Sequence, residues 1–288
     1  MKQAIKLGSI LFVCGLIISG IAYLGHKQPF DPMTPIEESQ ANKEIITRKQ
    51  FSKINATASS ADVVIKQGQH YTVSYYGKKT HPVHARVKDG VLKITQMPVT
   101  YSKFNNFHIG NNSDDERFII TVPKGLTLSK IKGHVNNDLV INRVPVKEVT
   151  LNSNSGDINI LNSAFNGGKI ATASGNISIR RSSLFNTKLI TQSGDIDLSQ
   201  TSLIKGNSTL SSGNFSGHRL TITGHYTVTN QSGDNTIIKS KIDGAKLTTT
   251  SGSNKLKRRV SDGGSLKQML DSPNVIFLKS ISGNNTIK

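Results

Sequence analysis

A short phrase recurs through the second half of the chain: SNSGDINI at 153, TASGNISI at 172, TQSGDIDL at 191, LSSGNFSG at 210 and NQSGDNTI at 230. Its Ser-Gly pairs, continued to the C-terminus, place glycines at Gly156, Gly175, Gly194, Gly213, Gly233, Gly252 and Gly283, with spacings of 19, 19, 19, 20, 19 and 31 residues. A fixed period of this length signals a repeat architecture, in which one unit cannot bury its apolar side chains alone. Five residues before each glycine stand Leu151, Ile170, Leu189, Ser208, Val228, Leu247 and Leu278, apolar in all but one case. After the turn, Ile158 and Ile160, Ile177 and Ile179, and Ile196 and Leu198 alternate with polar residues, and Phe165, Leu184, Leu203, Ile222 and Ile242 follow nine residues beyond their glycines.

Alternation with period two is strand periodicity. Units stacked at about 4.8 Å would align these positions into continuous apolar columns. The expected fold class is therefore all-β, a β-solenoid-like stack of about 19-residue strand repeats. Each Ser-Gly-Asp/Asn is expected to form one corner of one rung, with glycine supplying positive φ and the Asp or Asn side chain bonding back to its own turn. HVNNDLVI at 134 reads as a degenerate first rung, because Asn137 lies 19 residues before Gly156. The 31-residue gap before Gly283 implies an insertion near 258–274, RRVSDGGSLKQMLDSPN, rich in turn residues.

Ahead of the repeats, Lys2 and Lys6 precede 19 uncharged, mostly apolar residues, 7–25. As a helix this run would reach about 28 Å, nearly the thickness of a bilayer core. The reading is one N-terminal transmembrane helix with a cytoplasmic tip at 1–6, the positive charge placing everything after it outside. A cleaved signal peptide is the alternative, with GIA ending at Ala22 as a poor cleavage site. Pro29, Pro32 and Pro35 mark a stalk at 26–44. Residues 45–133 read as an N-terminal β region of the same sheet system, containing a long polar loop at 99–116, and 134–288 as the repeat solenoid. The expected location is a bacterial cell membrane, single-pass, with the β region extracellular.

The stretches ADVVIKQG at 61, DGVLKIT at 89 and FIITVPKG at 118, with the serial SGDINI, SGNISI and SGDIDL, resemble the toastrack, or "putative adhesin", family of bacterial envelope proteins, a β-strand repeat domain of unknown function. The resemblance spans roughly residues 45–288. It implies a surface location and a non-catalytic role in adhesion or envelope-stress signalling, with no catalytic residues to carry over. The chain ends at SGNNTIK without a sorting motif, which makes the N-terminal helix the expected anchor.

The formal charge is +18, split evenly as +9 in residues 1–148 and +9 in residues 149–288. In the repeats the cations fall on fixed offsets: Lys169, Lys188 and Lys246 lie 13 residues after their glycines, and Arg181, Arg219, Lys239 and Arg258 lie six after theirs. Stacking would turn both sets into basic ladders that attract polyanions. The expected partners are anionic envelope polymers or lipids. The alternative is an envelope-stress regulatory module acting through a membrane-protein partner, since only about six residues precede the span and any signal must pass through another protein. Nucleic acid is not expected as a dedicated ligand, because aromatic residues are not interleaved with the cations.

Neither an enzyme nor a metal or cofactor site is expected. The series Asp157, Asn176, Asp195, Asn214 and Asp234 offers one carboxylate per alternate rung, short of the six to eight oxygens calcium takes. Asp157 and Asp195, about 9.6 Å apart on two rungs, approach the separation of an inverting glycosidase pair, but Asp also suits the corner. His81 and His84, three apart on a strand, face opposite sides.

Overall fold

The alternation of the repeat becomes parallel, in-register pairing. Leu151, Ile170, Leu189, Ser208 and Val228 are successive neighbours in one column, and Ile158, Ile177, Ile196, Phe215 and Asn235 in another. All of them are buried. The computed structural model describes residues 43–77, 83–97 and 116–288, whose strands join one continuous hydrogen-bonded sheet without a helix. The expected cytoplasmic tip, the membrane helix, His81, and nearly all of the stalk and polar loop lie outside the described residues. Lys43 and Glu44, assigned to the stalk, instead begin the strand Lys43–Thr47.

Each rung runs along a first face, turns at the glycine, returns along a second face, and turns again into a short strand. The third apolar position closes the core, with Phe165, Leu184, Leu203 and Ile222 buried, while Ile242 is half-buried against it. Burying one such side chain contributes roughly 1.5–3 kcal/mol. The stack reuses that contribution in every rung. Ser208 breaks the first column for a reason: Tyr226 is fully buried beside it, and the two hydroxyls hydrogen-bond at 2.8 Å.

The glycine corner differs from expectation in two ways. Gly213, Gly233, Gly252 and Gly283 have positive φ, but Gly156, Gly175 and Gly194 do not. What all seven share is contact with the neighbouring rung. A Cβ on Gly175 would fall on the carbonyl oxygen of Gly156, one on Gly194 on that of Gly175, and so on through Gly213, Gly233, Gly283 and Gly252. Glycine is therefore required by close backbone approach between rungs. The Asp or Asn that follows does not bond back to its own turn either. Asp157 Oδ1 accepts the backbone N–H of Asn176 at 2.7 Å, and Asn176 Oδ1 that of Asp195 at 2.9 Å. Asp195, Asn214, Asp234 and Asn284 continue the ladder upward, and Asp62 and Asp138 extend it downward. Ser153, Thr172 and Thr191 complete the corner by accepting the N–H of their glycines at 2.9–3.0 Å.

Rung order follows the chain only in the middle. At the C-terminal end Val275–Ser282 pairs in parallel with both His225–Ser232 and Gly244–Leu256, so the last segment of the chain sits between two earlier ones. The N-terminal end does the same, with Lys53–Ala58 lying between Val91–Gln96 and Leu128–Val135. The segment read as a turn-rich insertion is instead the ten-residue strand Arg259–Gln268, antiparallel to Gly244–Leu256. Val83–Lys88 likewise pairs antiparallel with Val91–Gln96. Hairpins thus cover both ends of the first face, shielding the open ladder of a parallel stack. Leu128–Val135 is itself a full rung strand, so the boundary drawn at 133 and 134 passes through it.

Candidate functional site

The second corner carries the row of cations. Six residues after each of the first five glycines the chain takes positive φ without glycine: Asn162 (48°), Arg181 (49°), Gln200 (50°), Arg219 (53°) and Lys239 (53°). A left-handed residue with a side chain costs roughly 1–2 kcal/mol. Two features offset it. The corner N–H groups pair between rungs, Arg181 N–H donating to Ser199 O and Arg219 N–H to Ile238 O, both at 3.0 Å. The next residue then supplies a hydroxyl: Ser163 Oγ donates to Leu161 O at 2.8 Å and accepts the Val144 N–H at 3.2 Å, and Ser182 Oγ bonds equivalently to Arg180 O and Ser163 N–H. The backbone beneath the cations is therefore held while their side chains stay exposed.

Arg143 joins this row, with φ of 58° and its N–H donating to Leu161 O at 3.0 Å. It lies six residues after Asn137, so the spacing rule applied to the degenerate first rung would have found it. Arg258 does not join it, because it falls in the tight hairpin between Leu256 and Arg259, where Lys257 takes the positive φ. The Lys row divides too. Lys169 and Lys188 are in-register neighbours, but Asn207, Thr227 and Phe277 separate Lys188 from Lys246. Lys132, one position removed from Lys169 through Thr150, extends the same row in the other direction.

A shallow groove of about 690 Å³ runs along the second corner. The corner side chains of five consecutive rungs line it: Gln67, Arg143, Asn162, Arg181 and Gln200. Ser163 and Ser182 sit at its floor with their hydroxyls committed to the backbone bonds above, so the corner side chains carry its binding capacity. Guanidinium groups donate to phosphate or carboxylate in bidentate fashion, and the amides offer both donors and an acceptor. The opposite, glycine corner carries the Asp/Asn ladder, so the acidic ladder residues and the corner cations lie at opposite corners of the stack. On the face between them Asp197 has its carboxyl pushed up, first by desolvation and then by Asp195, with Arg180 pulling the other way. Among the described residues, no grouping of three or more His, Cys, Asp or Glu is arranged to hold a metal. Of His81 and His84, His84 lies within the described residues, on the strand Val83–Lys88.

Residues 51–288 match the family described as Toastrack DUF4097. Among solved structures, one described as a "putative adhesin" from Bacteroides fragilis is similar at 15% identity, covering 87% of this chain and 98% of the other, with a TM-score of 0.53. Another, from Parabacteroides distasonis and described in the same words, covers 87% and 98% at 15% identity with a TM-score of 0.44. No functionally curated protein matches the chain. At this identity the first likeness speaks for the fold alone.

Proposed function

The chain belongs to the Toastrack DUF4097 family, and from that premise we propose that it is a non-catalytic, membrane-anchored module that holds anionic polymers of the bacterial surface. The observation that carries the reading is the stacking of Arg143, Arg181, Arg219 and Lys239 at one corner, with the first two opening on a common groove. A polymer lying along that corner meets several cations at once, so modest single contacts combine. Its binding releases counterions. Support for the anchor comes from Lys2, Lys6 and the 19-residue apolar run, and support for adhesion from the descriptions of the structural relatives. The acidic glycine corner would turn a polyanion toward the other edge.

The test uses the full chain in uncharged detergent, with purified wall teichoic acid. Four phosphate contacts predict an affinity that falls roughly a hundredfold between about 50 and 300 mM salt, by the counterion-release slope for a flexible polyanion. Changing Arg143, Arg181, Arg219 and Lys239 together to Gln should remove most of both the binding and the slope without altering the strand spectrum. Binding indifferent to salt, or unchanged in the quadruple variant, would overturn the reading and leave the envelope-stress alternative ahead.

A further inference from the structure

The row along the groove is not a uniform line of charge. In spatial order the groove reads Gln67, Arg143, Asn162, Arg181, Gln200, and Arg219 follows beyond it: amide and cation alternate over six rungs before Lys239 sets a second cation beside Arg219. Adjacent rungs are about 4.8 Å apart, so successive guanidinium-bearing corners repeat at about 9.6 Å. From Arg143 onward all five corners share one backbone conformation, φ between 48° and 58°, which launches the side chains in parallel. Arg181 and Arg219 show that this conformation accepts arginine, so the intervening Asn162 and Gln200 are not imposed by the backbone.

We propose that the corner reads phosphate spacing, and that its ligand is a polyol-phosphate chain whose repeat is near two rungs. The inference rests on the polyanion-binding reading and narrows its ligand. Extended backbones advance about 1.2 Å per bond. A pentitol phosphate has eight bonds from one phosphorus to the next and repeats at about 9.6 Å on that measure. Glycerol phosphate and a nucleotide chain, with six bonds each, repeat at about 7 Å, and inorganic polyphosphate, with two, at about 2.4 Å. Polyphosphate also crowds charge onto the amide rungs, so among these chains the pentitol polymer alone places successive phosphates at Arg143, Arg181 and Arg219 in turn. Its three intervening hydroxyls then face Asn162 and Gln200, whose amides can both donate to and accept from them. A glycerol phosphate chain slips out of step by about half a rung per repeat.

Full-length protein in uncharged detergent is titrated with unsubstituted poly(ribitol phosphate) and poly(glycerol phosphate) of equal phosphate number. The ribitol polymer should bind about tenfold more tightly, because one more contact forms without strain. The variant Asn162→Arg with Gln200→Arg places a cation on every rung of the groove beyond Gln67. Both polymers should then bind more tightly and the preference should shrink below about twofold. Equal binding of the two polymers by the unmodified protein, with Arg143→Gln plus Arg181→Gln weakening both alike, overturns the spacing inference while the polyanion reading stands. A preference that survives in the arginine-filled variant also overturns it. Failure of both polymers to bind removes both readings together.

Discussion

Replacing Asn285 by Val tests how the polar part of the core is held. Asn235, Asn285 and Asn254 are fully buried and form a ladder across the last rungs. Asn235 Nδ2 donates to Asn285 Oδ1 at 2.8 Å, and Asn285 Nδ2 donates to Asn254 Oδ1 and to Thr248 O, both at 2.9 Å. Valine at 285 removes these three bonds and strands an amide donor on one side and an amide acceptor on the other. An orphaned buried polar group costs about 1–3 kcal/mol, and the added apolar burial returns only about 1 kcal/mol. With two groups orphaned, the net loss is therefore about 1–5 kcal/mol. The same column holds Ile158, Ile177, Ile196 and Phe215 in the preceding rungs, so an apolar side chain is compatible with the backbone there. Changing Asn235, Asn254 and Asn285 together to Val leaves no ladder partner orphaned and should fall within about 1.5 kcal/mol of the parent protein. Urea unfolding followed by far-UV circular dichroism reads the difference, with amide exchange at Ile237 and Ile287 detecting loss confined to the last rungs. A triple variant as unstable as the single one would refute the reasoning, because the amides would then be needed for more than satisfying one another.

Gly175→Ala should destabilise by about 2 kcal/mol or more, since its Cβ meets the Gly156 carbonyl. Gly125→Ala, at φ 79° with open space around it, should lose only the roughly 1 kcal/mol of left-handed strain; equal losses in a thermal melt would mean that contact between rungs is not the constraint. Asp197→Asn should slightly stabilise the protein at neutral pH. The raised carboxyl pKa means the folded state binds this proton more readily, so its charge opposes folding above the raised value and ceases to matter below the ordinary carboxylate range. A gain that persisted in acid would assign the effect to packing. Cell fractionation with N-terminal sequencing should find intact Met1 in membranes, and a mature start at Tyr23 in the medium would remove the anchor.

Side-chain columns are a property of the period, and the period can be counted along the chain. The spacing of Leu151, Ile170 and Leu189, and of Ile158, Ile177 and Ile196, thus determined which residues meet and which face they bury. The corner cations Arg181, Arg219 and Lys239 follow from the same count, and Arg143 does once Asn137 is taken as the first corner, whereas Arg258 fits the count but falls in the terminal hairpin. Tertiary structure decided which rung lies beside which. Rungs present nearly the same columns above and below, so local pattern does not distinguish His225–Ser232 next to Gly244–Leu256 from the observed order with Val275–Ser282 between them. That choice is settled at the ends, where a parallel stack exposes unpaired backbone. Arg259–Gln268, rich in polar and turn residues, becomes a strand because the last ladder offers it hydrogen bonds that outweigh weak local propensity. The glycine corner is undecidable from sequence for a related reason: positive φ and close approach both call for glycine, and only the position of the neighbouring carbonyl separates them.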